Sequence, residues 1–486
     1  MTLRSKGITA IKWYSAASIC ITVFQLLQFI IVSRILEPSD YGLMAMIMAI
    51  VNISMGFCDM GFSNAIIQRQ EISNNHLSSL YILNIMISSA VCLTVWLLAP
   101  LIAWFYQEPR LVELVHWMAF ICVIPAIGQQ FQILYQKEIT FDATTKVEIL
   151  SQIVSVLVAV VGAYMGYGVY ALVWSFLVNV SVKSAGLVII GLRIWKPTLH
   201  FSWTDVKEYM SFGIYQTGTS VLNTVNSRLD YLILGSTLGA EALGYYMFAY
   251  QLCMLPMQKL NPMIWQVSLP IYAKIQNQMD LLRKGYFQMM GMISYISPPI
   301  FFGLMVTAHV FVPLVFGAQW KPSIMIVQAL SGVMLMQSLT TSSSLLAAKG
   351  QVNITFKFTL ISLFIQLPGL AIGAYMGDVM GVAIAYLIVQ ACLFVIHYLF
   401  IIRRILGPCL RQYLGCMAQG LLCSSIMALC VLLINQFVSF DSEFIRLSIQ
   451  VGAGVLLYVA IVYYFERDLL RSLLKMRAGK KSLTNQ

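Results

Sequence analysis

What most constrains this chain is a succession of long apolar runs separated by short polar breaks. Lipid offers nothing to hydrogen-bond with, so a run of about 20 apolar residues crosses a membrane as a helix that satisfies its own backbone. Fourteen such segments can be drawn, near residues 10–33, 41–66, 77–104, 112–135, 147–165, 168–191, 210–235, 243–265, 286–310, 324–347, 354–376, 379–402, 413–437 and 444–464. Pro38, Pro109, Pro197 and Pro322 mark boundaries between them. The expected fold class is therefore all-α, a polytopic membrane protein of about 14 transmembrane helices. Charge usage agrees: only 10% of the 486 residues are charged, against about a quarter in soluble chains. The basic start (Arg4, Lys6, Lys12) precedes no small-x-small cleavage site, so the first segment reads as an uncleaved helix.

A net charge of +11 would suggest nucleic acid in a soluble protein. Here it reads as the positive-inside rule. With the N-terminus inside, Lys137, Lys146, Arg193, Lys196, Lys207, Lys274, Arg283, Lys284, Arg403, Arg404, Arg411 and the tail from Arg467 to Lys481 fall on the cytoplasmic side. The external side keeps Arg34, Arg110, Lys321 and Arg446. An even number of helices then puts both termini in the cytoplasm.

Two hairpins share a pattern. Leu36-Glu37-Pro38-Ser39-Asp40-Tyr41-Gly42 joins segments one and two, and Leu238-Gly239-Ala240-Glu241-Ala242-Leu243-Gly244 joins segments seven and eight. Each has Leu, an acid, and Gly six residues after the Leu. Because segments one and seven run the same way, this suggests parallel repeats about an axis along the membrane normal. The expected organisation is an N-lobe over 1–205, a C-lobe over 206–405, and segments thirteen and fourteen with a basic tail over 406–486.

Polar groups inside a membrane are costly, so their grouping carries information. At about 100° per residue, Ser15, Ser18, Thr22 and Gln25 share a face of segment one. Asn52, Gly56, Asp59 and Ser63 do so on segment two, and Gln216, Ser220, Asn223, Ser227 and Asp230 on segment seven. Three polar stripes suggest a shared wet cavity; small polar residues also glue helices together, and both readings stand. Arg228 lies to one side of its stripe and suits either a diphosphate or the external headgroups. Asp59 and Asp230 could bind a proton or sodium ion, or simply pack. Lys183 could snorkel to the cytoplasmic face.

Enzyme readings fare poorly. His76, His116, His200, His309 and His397 lack metal-ligand spacing, no Gly-Lys-Ser/Thr phosphate loop occurs, and the external loops are too short to enclose a sugar acceptor. No cofactor or metal is called for. Cys409, Cys416, Cys423 and Cys430 recur every seven residues; a packing stripe explains them better than a metal or redox relay, and disulfides are not expected. Transport without an attached motor remains.

Several strings carry a resemblance. Arg34-Ile35-Leu36-Glu37-Pro38-Ser39-Asp40-Tyr41-Gly42 resembles the opening hairpin of bacterial polysaccharide flippases of the multidrug/oligosaccharidyl-lipid/polysaccharide exporter superfamily. Asp59-Met60-Gly61-Phe62-Ser63-Asn64-Ala65-Ile66-Ile67-Gln68-Arg69 is similar to the string that follows it. Ile127-Gly128-Gln129-Gln130-Phe131, Lys259-Leu260-Asn261-Pro262 and Phe311-Val312-Pro313-Leu314-Val315-Phe316-Gly317 resemble the colanic-acid exporter branch. The resemblance covers nearly the whole chain in order. It implies a bacterial inner-membrane flippase that moves an undecaprenyl-diphosphate-linked oligosaccharide from the cytoplasmic to the periplasmic leaflet by alternating access. The product would be an exopolysaccharide: colanic-acid-like, capsule or O-antigen. It also implies a cationic cavity between lobes, a lipid-tail groove at segments thirteen and fourteen, and a polymerase and co-polymerase in the same pathway. A monomer would suffice. Lys12, Lys259 and Lys274 could attract the diphosphate or only anchor topology. The competing reading is an ion-coupled drug or cation antiporter of the same superfamily, in which twelve helices would be usual.

Overall fold

The computed structural model describes residues 3–58, 66, 72–138, 141–376, 378–437 and 442–465, with the backbone alone for 3–17, 141, 208–216, 352 and 465. The described chain is helical almost throughout. The first helices are α1 (Leu3–Ile35), α2 (Pro38–Cys58), α3 (Asn74–Tyr106), α4 (Leu111–Lys137), α5 (Phe141–Tyr164), α6 (Val169–Gly191) and α7 (Trp203–Ile275). They are followed by α8 (Met279–Phe316), α9 (Ser323–Ser338), α10 (Ser343–Ala348), α11 (Val352–Tyr375), α12 (Val379–His397), α13 (Arg403–Leu406), α14 (Leu410–Phe437) and α15 (Glu443–Phe465).

Twelve spans among the described residues are long and apolar enough to cross a membrane, with α9 and α10 forming one and α12 with α13 another. The two other expected segments, 210–235 and 243–265, fall on α7. That helix bends at Gly239, whose φ of 81° is a conformation glycine adopts without a Cβ penalty.

The chain divides into two compact units, residues 1–247 with 366–379, and residues 248–365 with 380–486. In unit 1, α5 packs on α6 and on α1, while α4 packs on α3 and α6. Small residues permit the close crossings. A Cβ at Gly128 would lie 2.8 Å from the Ser184 Cα, and one at Gly162 would lie 3.0 Å from the Ala171 Cβ.

The tightest crossing joins the two hairpins that look alike in sequence. A Cβ at Gly42 would strike the Ala240 carbonyl oxygen, and one at Gly244 would strike the Pro38 carbonyl oxygen. Each repeat glycine therefore seats the other hairpin's backbone. Asp40 fastens the same end of the unit: its carboxylate accepts the Val169 N–H at 3.0 Å, at the start of α6, and the Glu37 N–H at 3.3 Å.

In unit 2, α8 packs against α9, α14 and α15. Gly420 of α14 lies against the Ser294 carbonyl oxygen of α8, and Ser294 donates to the Cys416 carbonyl at 3.2 Å. Cys416 and Cys423 flank that contact, Cys423 being buried. Tyr458 ties α15 to α8 by donating to the Tyr295 carbonyl at 2.6 Å. At the end of α8, Gly317 turns the chain at φ 114°, so that Trp320 stacks on Phe248 with centroids 4.1 Å apart.

Candidate functional site

The polar stripes expected on three helices all lie in unit 1. On α1, Ser18 and Thr22 are half-buried and Gln25 is exposed. Thr22 donates its hydroxyl to the Ser18 carbonyl at 2.5 Å. Ile19, Val23 and Leu27 are exposed on a different side of the helix, roughly 140° round from the polar stripe at 100° per residue. The helix thus has an apolar outer face and a separate polar one.

On α2, Asn52 is half-buried and donates to the Met48 carbonyl at 2.6 Å. One turn on, a Cβ at Gly56 would touch Val221 Cγ2 at 3.0 Å, so α2 and the first arm of α7 meet here. Asp59 and Ser63 lie outside the described residues, as does the side chain of Gln216.

On α7, Ser220 is half-buried while Asn223 and Ser227 are exposed. Thr224 and Ser227 return their hydroxyl protons to the helix, at 2.8 Å to the Ser220 carbonyl and 2.9 Å to the Thr224 carbonyl. That leaves hydroxyl oxygens able to accept further bonds. Arg228 is half-buried with its guanidinium carbon 5.3 Å from the centroid of the Tyr231 ring.

Asp230 is placed differently from its stripe-mates. It is buried, accepting the Tyr246 hydroxyl at 2.9 Å and the Tyr231 N–H at 2.9 Å. Its carboxylate clamps the two arms of α7 across the Gly239 bend, away from the exposed positions of Asn223 and Ser227. The structure therefore joins the α2 and α7 stripes at Gly56. It draws α1 toward α5, where Gln152 donates to the Gln28 side chain at 3.3 Å.

That bond belongs to a polar ladder the segment boundaries concealed. Asn179 of α6 donates to Gln152 at 3.4 Å. One helical turn along both helices, Lys183 is paired with Glu148 at 2.8 Å, both half-buried. Lys183, read from sequence as free to snorkel, is instead held by a carboxylate. Glu148 escaped notice because its segment was expected to begin at 147, whereas α5 begins at Phe141 and places it two turns inside. The i, i+4 spacing of Glu148 with Gln152, and of Asn179 with Lys183, is the signal that could have found the ladder.

Two of the scattered histidines also converge. His76 Nε2 and His200 Nε2 lie 3.8 and 3.2 Å from the two oxygens of Asp205, and Ser79 donates to the same carboxylate at 3.1 Å. Together with Trp195, packed edge-on to Tyr81 at 5.7 Å, they pin the connection between α6 and α7. Among the described residues no group of His, Cys, Asp and Glu fits a metal ion.

Comparison with known proteins places this geometry in context. The profile of the family described as "Polysaccharide biosynthesis protein" matches residues 31–325. The chain is 35% identical to the lipopolysaccharide biosynthesis protein WzxC of Escherichia coli K12, over 85% of this chain and 84% of that one. It is 30% identical to the teichuronic acid biosynthesis protein TuaB of Bacillus subtilis, over 93% and 94%. Among solved structures, the lipid II flippase MurJ in its inward closed conformation matches with a TM-score of 0.75 at 16% identity, over 94% of this chain and 99% of that one. An inward-facing multidrug resistance transporter of the MATE family and MOP superfamily matches with a TM-score of 0.62 at 16% identity, over 82% and 98%.

Proposed function

From the premise that this chain belongs to the polysaccharide biosynthesis protein family, we propose that it is a flippase for undecaprenyl-diphosphate-linked oligosaccharide repeat units. It carries them from the cytoplasmic to the periplasmic leaflet of a bacterial inner membrane. Its lobes, 1–205 and 206–405, alternate access, with 406–486 added and both termini cytoplasmic. The cargo feeds exopolysaccharide export by way of a polymerase and co-polymerase.

The observation that carries the reading is the exposure of Gln25 on α1, whose span is apolar enough to cross a membrane, and of Asn223 and Ser227 on the first arm of α7, where the sequence leads us to expect another crossing. Amide and hydroxyl groups at such positions are unfavourable against lipid and favourable against water or a polar cargo. A polyprenyl tail cannot favourably enter water, and a sugar diphosphate cannot favourably enter hydrocarbon. A polar face along the helices lets the head cross while the tail stays in lipid. Arg228, held at the Tyr231 ring, still has in-plane N–H donors suited to a diphosphate. The relatives named for lipopolysaccharide and teichuronic acid biosynthesis support a saccharide cargo.

The test is leaflet-resolved analysis of lipid-linked oligosaccharides after depleting the protein in its host. Full repeat units should build up on the cytoplasmic leaflet while polymer outside declines. Unpolymerised units on the periplasmic leaflet would overturn the proposal in favour of a later step. No change in either would point to drug or cation antiport instead.

A further inference from the structure

Unit 2 contains a span, long and apolar enough to cross a membrane, whose helix comes apart. The span Ser323–Ala348 is helical to Ser338, leaves the helix over residues 339–342, and resumes at Ser343. The residues there, Thr340-Thr341-Ser342-Ser343-Ser344, place five hydroxyls in succession. At membrane depth, backbone leaves a helix only where protein buries it or where it lines a wet cavity.

Both conditions hold here. On the buried side, His397 Nε2 and the Ser342 hydroxyl lie 2.8 Å apart, and Tyr413 donates to the Leu339 carbonyl at 3.4 Å. Ser268 donates to the Ser344 hydroxyl at 2.7 Å. The break is therefore pinned at both ends by buried side chains and is a built feature. The break also borders a cavity of about 530 Å³, whose wall includes Ser342, Ser344 and His397, within the roughly 300–1,000 Å³ typical of small-molecule sites.

The lining defines the ligand. Met257, Leu346, Phe358 and Ile401 give the wall apolar patches, between which Asn261, Gln337, Thr340 and Thr341 present amides and hydroxyls and Trp265, 39% exposed, an indole ring. Among the described lining residues there is no Lys, Arg, Asp or Glu. A diphosphate would call for guanidinium or ammonium groups, and an organic cation for a carboxylate or an aromatic box. A neutral polyol needs groups that both donate and accept. The Thr340 and Thr341 hydroxyls already donate to the Gln337 and Ser338 carbonyls, each at 3.0 Å, so their oxygens remain as acceptors. The Gln337 amide donates to Tyr386 at 3.2 Å, which fixes its orientation and leaves its carbonyl oxygen to accept. The indole of Trp265 offers a flat apolar surface to the C–H face of a pyranose.

We propose that this cavity is a saccharide-binding subsite that recognises neutral sugar residues of the lipid-linked cargo, with Trp265 stacking on a ring and Asn261, Gln337, Thr340 and Thr341 bonding its hydroxyls. The proposal rests on the flippase reading and goes beyond it. It adds a seat for the sugar, on unit 2, to the polar face and Arg228 of unit 1. His397 is a positioning residue that holds the break in shape.

The experiment measures binding of two probes to the purified full-length protein in nanodiscs: the host's lipid-linked repeat unit and bare undecaprenyl diphosphate. Trp265→Ala, Trp265→Phe and Asn261→Ala are compared with the parent, each first shown to elute and melt as a folded protein. Trp265→Ala and Asn261→Ala should each weaken the glycan-bearing probe by about tenfold or more, the equivalent of about 1.4 kcal/mol. Binding of the bare diphosphate lipid should not change, and Trp265→Phe should restore most of the loss. Equal weakening of both probes, or no weakening of either, overturns the subsite while leaving the flippase reading intact. Failure of the parent protein to bind either probe overturns both.

Discussion

The crossing of the two hairpins gives a prediction whose size can be worked from the structure. Replacing Gly42 by Ala puts a methyl carbon into the Ala240 carbonyl oxygen, and replacing Gly244 puts one into the Pro38 carbonyl oxygen. To reach an ordinary contact of about 3.5 Å, the hairpins must part by about 1.5–2 Å. Neither partner can rotate away, because both are backbone. Overpacking costs about 1–3 kcal/mol, and this contact belongs at the upper end. The better helix propensity of Ala over Gly returns about 1 kcal/mol, leaving a net loss of about 2 kcal/mol. Gly218 is the control: it is helical, and a Cβ there meets nothing within 4 Å. Gly218→Ala should gain about 0.5–1 kcal/mol, so the two variants should differ by about 3 kcal/mol. Because both methyls open one crossing, the Gly42→Ala/Gly244→Ala double variant should lose less than the sum. The assay is thermal melting of the detergent-purified protein followed by size-exclusion chromatography. Gly42→Ala melting with Gly218→Ala, or two fully additive losses, would refute the reasoning.

Four further expectations follow from particular contacts. Lys183→Met or Glu148→Met alone should destabilise by about 1–2 kcal/mol, a value discounted for partial exposure; the double variant should recover much of that in the same melt. Tyr246→Phe removes a donor from the buried Asp230 carboxylate and should cost about 1–3 kcal/mol, a loss that identical melting curves would disprove. Ser227→Leu sits at an exposed position and should change stability by no more than about 0.5 kcal/mol, yet lower polymer export measured in the host. Finally, the Arg110 guanidinium bonds Glu108 at 2.8 and 3.0 Å and holds its carboxyl below the usual carboxylate range. Its contribution, about 0.5 kcal/mol or less for an exposed pair, is present at neutral pH and lost as pH falls through that lowered pKa. Melts between neutral and acid pH should show a drop in the parent that Arg110→Gln lacks.

What could be read from residue order was whatever depends on local physics. Long apolar runs dictate membrane helices because the cost of an unpaired peptide group in lipid leaves no other choice, and the helices lie close to where those runs are. The likeness of the two hairpins was legible as a spacing of Leu, acid and Gly. That these hairpins seat on each other was not, because which glycines face one another depends on how helices distant in sequence cross. Polar stripes follow from helical period. Whether a stripe ends exposed, as at Asn223, or buried against a partner sixteen residues away, as Asp230 is against Tyr246, depends on a bend at Gly239 that hydropathy does not register. Lys183 was visible as a single charge, but its pairing with Glu148 exists only once α5 and α6 are laid side by side. The break at residues 339–342 was hidden most completely. Its residues are uncharged and keep the span apolar on average, so a hydropathy window passes over them. Only side chains brought from elsewhere in the chain, Ser268, His397 and Tyr413, hold that backbone out of the helix.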